Sequence, residues 1–376
     1  MGNDLLGLFP LDPGIAYLNH ASYGAPLRRL LAAANSTREA TERDTALRLG
    51  RGLVAALHRV AGSIQQRLAT QGGQLAVVPN ATAANNALAA SLELGPGRSV
   101  ALFDSEYSSV IRCWQAHAAR RGAALRVLPL ELPATRAQIL DALDSLDDAV
   151  GAFVASAVSS TAAVAMPLAE ISGICQERGI RLVVDAAHML GHMDQALAGC
   201  APSAVFGSLH KWLPSPRPAG FLWVADGLAD QVKPAAVSLT WDEPGFLERF
   251  SWWGTWDPAA CLTVPEGFEA LDLWRQEGRV TQAEDLAEAM SRSLAEAGLK
   301  PTTEPALAAK RLRAFLAPRL SPDLLRSAVD AAGVRAWVGQ EPRGATVLRL
   351  STNVYNDQRD SARLVATVAQ ALGEAA

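Results

Sequence analysis

The sequence predicts an α/β fold: a large domain on a mostly parallel, seven-stranded sheet with helices on both faces, then a smaller C-terminal α/β domain. Three observations carry this. Short apolar or β-branched runs alternate with Ala-rich helical stretches through the first two thirds of the chain. At 376 residues the chain is too long for one small core. About half of its residues are hydrophobic (49%) and only 19% are charged, the balance of a well-buried globular protein.

Taken in order, a Pro/Gly-rich start gives way to helical periodicity over residues 26–70, broken near Gly50 and Gly52. Strands are expected at 75–78, 99–103, 125–129, 152–155, 181–185, 204–206 and 220–224. Helices are expected between them at 83–94, 108–121, 136–143 and 168–179. Residues 265–298 read as one long helix, and from about 301 the pattern mixes helices with strands such as 347–351. The division that follows is an N-terminal segment (1–25) contributing to the active site, a large domain (26–264) and a small domain with its linking helix (265–376).

Several function classes are excluded early. A net charge of −4 with no Lys/Arg run offers no footprint for nucleic acid. No apolar run approaches the ~18 residues of a membrane span. The start, MGNDLLGLFPLDPG, has no basic region or long apolar stretch, so no secretory signal is expected and the location is read as cytoplasmic. Cys113, Cys175, Cys200 and Cys261 show no CxxC spacing, which argues against zinc or a disulfide framework. His188 and His192 are spaced i, i+4, but Met189 follows His188 where a zinc protease has Glu, so no metal is expected.

Ligands of α/β sheets gather at the carboxyl ends of strands, and three such ends carry polar residues. RLVVDAAH closes a buried strand on Asp185, which is either a helix N-cap or a functional carboxylate that needs a partner. VPNATAAN runs from strand through a turn into a helix at Asn80–Thr82, either an ordinary capped helix or an anion site. FGSLHKWLPSP packs Ser208, His210 and Lys211 into one turn before Pro214, Pro216 and Pro218, in a chain with only four lysines. Together they point to pyridoxal 5′-phosphate (PLP). A desolvated lysine can form a Schiff base with an aldehyde, an aspartate can keep a pyridine nitrogen protonated, and a helix N-terminus can hold a phosphate.

These motifs resemble the class V aminotransferases of PLP fold type I, a family that includes cysteine desulfurases and kynureninases, and within it the isopenicillin N epimerase-like subgroup. Asn19-His20-Ala21-Ser22-Tyr23-Gly24 is similar to that subgroup's opening motif, with Ala21 for the usual glycine. By resemblance, Ala81 and Thr82 belong to the phosphate loop and Tyr107 stacks on the cofactor. Ser160 and His188 meet its phenolic oxygen, Ser208 and His210 its phosphate, Asp185 its ring nitrogen, and Lys211 is the Schiff-base lysine. Gly254-Thr255 matches the element that reaches the neighbouring subunit's phosphate, which implies a homodimer with shared active sites. Arg349 matches the arginine that grips the substrate α-carboxylate, with Asn19, His20 and Tyr23 as further substrate-side residues. Without the resemblance, Tyr107 reads as a half-buried aromatic and Arg349 as a surface strand residue.

What the resemblance implies is chemistry at Cα of a small amino-acid substrate, of a kind found in antibiotic biosynthesis. Epimerisation comes first, with His20 or Tyr23 as the second acid. β-Elimination of a thiol (C–S lysis), transamination, and a non-catalytic protein of the same fold are the alternatives. Two departures bear on this. Residues 333–344 hold no cysteine, so a persulfide route is not expected, and Ser203 stands near the place where many relatives carry an aspartate.

Overall fold

A computed structural model describes residues 4–93 and 96–374. Leu94, the last residue of the helix expected at 83–94, lies outside them. The chain opens with β1 (Ala16–Tyr17) and α1 (His20–Tyr23), then α2 (Arg28–Arg43) and α3 (Gly52–Gln65), separated by a π-helical turn, Ala46–Arg51, that kinks at Gly50. Strands and helices then alternate: β2 (Gln74–Val78), α4 (Ala81–Ser91), β3 (Ser99–Phe103), α5 (Ser108–Arg120), β4 (Ala124–Leu128), α6 (Arg136–Asp144), β5 (Val150–Ser156), α7 (Leu168–Glu177) and β6 (Arg181–Asp185). β7 (Ala204–Ser208) and β8 (Gly220–Val224) complete a seven-stranded sheet of order β2-β8-β7-β6-β5-β3-β4. It is parallel except for β8, which runs antiparallel to both β2 and β7.

Local chemistry accounts for these elements. β7 and β8 are buried throughout, as is β6 after Arg181, and helices cover both faces, so their side chains form continuous apolar runs instead of alternating. Asn80 caps α4, its Oδ1 accepting the Ala83 N–H at 2.9 Å, and Thr135 with Gln138 forms a capping box on α6.

Three short helices, α8 (Asp226–Ala229), α9 (Phe246–Arg249) and α10 (Ala259–Leu262), lead into α11 (Val264–Gln276) and α12 (Arg279–Glu296). The single helix expected at 265–298 is therefore two. Gly278 breaks it at φ 71°, a left-handed conformation glycine adopts without a Cβ penalty. The smaller unit is an antiparallel sheet of order β12-β13-β10-β9, from β9 (Lys300–Pro301), β10 (Leu312–Leu316), β12 (Trp337–Gln340) and β13 (Thr346–Ser351). With α13 (Pro322–Ala331), β11 (Val334–Arg335) and α14 (Gln358–Glu374) it forms a separate apolar core that includes Met290, Phe315, Leu348 and Leu364.

The N-terminal segment ties the two units together. β1 pairs in parallel with β11, and Asn19 bridges to Ser351 of β13. The chain then turns through α1 and crosses the large domain at Gly24 (φ 68°), where an added Cβ would stand 1.8 Å from the His210 carbonyl oxygen. Only glycine passes this close to the turn that carries Lys211.

Candidate active site

A cavity of about 620 Å³ opens where the ends of β6 and β7 and the start of α4 meet α1 and the β12–β13 hairpin. It is lined by Tyr23, Ala81, Thr82, Tyr107, Ser160, Asp185, His188, Ser208, His210, Lys211 and Arg349, eleven of the residues singled out from the sequence. Strand geometry explains much of this convergence. Ser156, Asp185 and Ser208 end the adjacent strands β5, β6 and β7, and parallel strands finish on one edge.

Asp185 is 6% exposed, and the only hydrogen bond to its carboxylate among the described residues comes from the Ala187 N–H at 2.8 Å. Burial pushes its pKa up, while that N–H and the nearby Lys211 charge pull it down. Lys211, partly exposed at the cavity wall, places Nζ 3.3 Å from His188 Nε2. Burial lowers its pKa to about 8 against the opposing attraction of Asp185, with Arg349 adding to the decrease. Glu106, 3% exposed, accepts the Ser156 N–H at 2.7 Å and meets the Ser156 hydroxyl. Burial raises its pKa to about 8, with the neighbouring Asp185 adding to the rise, so at neutral pH it is largely protonated.

At the α4 end, the Ala81 and Thr82 N–H groups donate to no described residue, while the next two are taken by Asn80. Gly220 allows this turn to lie against β8, since an added Cβ would be 2.8 Å from the Asn80 backbone. His210 Nδ1 donates to the Ala219 carbonyl at 3.2 Å, so its Nε2 is the nitrogen left for a ligand, and burial lowers its pKa to about 4.

Arg349 forms the opposite wall. It is 4% exposed and rests over the Trp337 ring at 5.1 Å. Its guanidinium donates to the Ser160 carbonyl, to Ser160 Oγ at 3.3 Å, to Ser22 Oγ at 2.7 Å and to Asn19 Oδ1 at 3.5 Å. All are neutral oxygens, and no described carboxylate pairs with it. Burial lowers its pKa to about 10.

Four expected residues do not line this cavity. His20 is 0% exposed, its Nδ1 2.9 Å from the Tyr355 hydroxyl and its ring beside Asn353, so it is a core histidine and not a substrate contact. Asn19 stands behind Ser22 and Arg349, holding both. Gly254 and Thr255 lie on a loop outside the lining, with Thr255 exposed. Conversely, Ser22, Glu106, Asp104, Trp337 and Glu341 line the cavity without having been assigned a role. Ser22 could have been found, since it falls within the same motif as Asn19. Trp337 could not, because it reaches Arg349 only through the β12–β13 register.

The residues fit PLP on their own terms: a buried carboxylate short of partners, uncommitted amide N–H groups at a helix start, a lysine of depressed pKa and an unpaired guanidinium in one cavity. Comparison with known proteins agrees. The family model Aminotransferase class-V matches residues 43–364. The chain is 30% identical to isopenicillin N epimerase of Streptomyces clavuligerus over 98% of each chain, and 29% identical to that of Amycolatopsis lactamdurans over 94% of each. The solved structure of the cystine C–S lyase C-DES superposes with a TM-score of 0.79 at 17% identity, over 95% of this chain and 98% of that one. Another C-DES structure holds glycine covalently linked to its PLP cofactor. On this evidence the chain belongs to the class V aminotransferase family, enzymes of PLP fold type I, and its cofactor is pyridoxal 5′-phosphate.

Proposed function

We propose that the chain epimerises an amino-acid substrate at its α-carbon, the activity in the names of its relatives from S. clavuligerus and A. lactamdurans. The observation that carries this is Arg349: a guanidinium held only by neutral oxygens, in the cavity that also holds Lys211 and Asp185. A buried cation without a counter-ion is costly unless a ligand completes it, and a planar guanidinium fits a carboxylate through two parallel hydrogen bonds.

Bound PLP supplies an electron sink for the pair left at Cα when its proton departs. Asp185 would hold the ring nitrogen, Ser160 and His188 the phenolic oxygen, and Tyr107 the ring face. Ala81, Thr82 and Ser208 would hold the phosphate, and His210 would join them by donating from Nε2 once the phosphate's negative charge draws a proton onto it. Arg349 anchors the carboxylate and so fixes which Cα bond faces Lys211. With its pKa near 8, the Lys211 amine is close to the value at which a base both exists at neutral pH and accepts a proton readily. Epimerisation then requires a proton from the other face. With His20 in the core, Tyr23 on the cavity wall is the donor we assign. In a homodimer, Gly254 and the exposed Thr255 would complete the partner's phosphate site.

A second reading, β-elimination of a thiol, is favoured by the same burial of His20, because elimination needs a base on one face only. No cysteine lines the described cavity, which disfavours a persulfide route at this site. Incubating candidate amino acids with the holoenzyme in deuterated water separates these reactions. Deuterium at Cα with inversion, and no keto acid or thiol, supports epimerisation. Pyruvate with released thiol supports the lyase, and a keto acid with the amino group left on the enzyme contradicts both.

A further inference from the structure

The residue after the lysine has a polar contact that the cofactor does not require. Trp212 is 2% exposed, and its indole N–H donates to His188 Nδ1 at 3.2 Å. On the same imidazole, Nε2 lies 3.3 Å from Lys211 Nζ. An indole N–H can only donate, so Nδ1 of His188 must be an acceptor. The one proton of neutral His188 is then on Nε2, pointing at the lysine. An imidazolium would set two N–H groups against each other at Nδ1.

Trp212 is itself fixed from both sides. His192 stacks on it at 4.0 Å and 19°, and the fully buried Arg311 guanidinium lies 4.8 Å from its ring centre. His192 accepts the Arg311 backbone N–H at Nε2 (2.9 Å) and donates from Nδ1 to the His188 carbonyl (3.1 Å), so it holds the His188 backbone as well as the indole. Gly191 closes the packing, since a Cβ there would stand 3.1 Å from the Trp212 carbonyl.

We infer that Trp212 is a positioning residue for the proposed chemistry: it locks His188 in the neutral Nε2–H tautomer, which donates to the Lys211 amine and favours its uncharged form. A lysine ammonium facing that N–H would meet a donor with its own donors, whereas the free amine has a lone pair to accept it. Around the pair, burial and the Arg349 charge also favour the uncharged lysine, and Asp185 opposes them. Lys211 itself, Arg349 and His192 oppose an imidazolium at His188, and Arg311 opposes one at His20 and at His192. Among the described residues, Asp185 attracts a charge on Lys211, and Glu106 lies beside Asp185. This rests on Lys211 being the cofactor-linked lysine.

Nitrogen-15 NMR of ring-labelled histidines, on the full chain before cofactor is added, reads the tautomer directly. The His188 signals are assigned by their loss in His188→Asn. Expected at neutral pH is a proton on Nε2 and a bare acceptor at Nδ1. A proton on Nδ1, or on both nitrogens, overturns the inference and requires no further variant. Trp212→Phe keeps the ring and removes the donor. It is expected to spread the His188 proton over both nitrogens and to slow the reaction of Lys211 with an aldehyde probe at pH 7 by about three- to tenfold, the factor one net hydrogen bond supplies. An unchanged tautomer and unchanged rate in a folded Trp212→Phe overturn it too. Failure of the lysine assignment looks different: Lys211→Ala would still take up cofactor with the lysine-linked absorbance band, while the tautomer result stood.

Discussion

The two walls of the cavity are built on different principles. The Lys211 wall comes from one sheet, where β6, β7 and the β2–α4 turn bring Asp185, Ser208 and Ala81 to a shared edge. The Arg349 wall is assembled from distant segments, its guanidinium bound to Ser22, 327 positions earlier, and lying over Trp337 of the neighbouring strand. Their electrostatics differ as well. Lys211 shares its wall with the Asp185 carboxyl, whereas among the described residues Arg349 meets only neutral oxygens. On the proposed reading, the first wall is charge-balanced by the protein and the second is left for the substrate to balance. On that reading, a site divided in this way would hold its cofactor before substrate arrives and still reserve strong electrostatics for a carboxylate.

If the division is real, substitutions should separate by wall. The largest effect is expected from Arg349→Gln. Loss of a buried charge pair should cost about 2–5 kcal/mol in kcat/KM while leaving the cofactor's absorbance unchanged. Arg349→Lys should restore little, because an ammonium cannot reproduce the two parallel hydrogen bonds. Steady-state kinetics with a spectrum of each variant checks both, and a variant that also lost cofactor would join the two walls.

Gly24→Ala attacks the point where the walls touch. Its Cβ would stand 1.8 Å from the His210 carbonyl oxygen in a left-handed backbone, so the crossing must move. A loss of at least about 2 kcal/mol in stability is expected, together with weaker cofactor binding, because the Lys211 turn shifts with it. Denaturant unfolding and cofactor titration measure these.

The smallest effect concerns pH. Below about 8 both folded and unfolded chains carry the Lys211 proton, and burying the ammonium costs stability. Between about 8 and the ordinary 10.5 only the unfolded chain holds it, so this group's contribution to stability rises with pH across that window. Lys211→Met should therefore stabilise the cofactor-free protein at pH 7 by about 1–2 kcal/mol, part of the gain being offset by Asp185 losing its attraction. The advantage should vanish as pH approaches 10.5. Equilibrium unfolding of both proteins from pH 7 upward tests it.

The same contrast governs what the sequence made legible. Strands 99–103, 181–185 and 220–224 agree with the sequence to the residue, and Asp185 closes one of them as expected, because a strand end is set by local apolar runs and the turn that follows. The strand leading to the Lys211 turn runs two residues past the expected 204–206. His20 was misassigned because its burial depends on Asn353 and Tyr355, more than 330 positions away, which no local pattern encodes. The break at Gly278 was missed because one left-handed residue hardly disturbs helical periodicity on either side of it. Trp337 and the pairing of Trp212 with His188 were out of reach for the same reason as His20: their roles exist only after distant segments have packed.

The central claim is that Lys211 carries the cofactor and moves the Cα proton. Borohydride reduction of the chain loaded with PLP, followed by peptide mass spectrometry, tests its first half without reference to any substrate. The account expects the cofactor's mass on the peptide containing Lys211. The label on Lys233, Lys300 or Lys310 instead, or on no lysine, would contradict it.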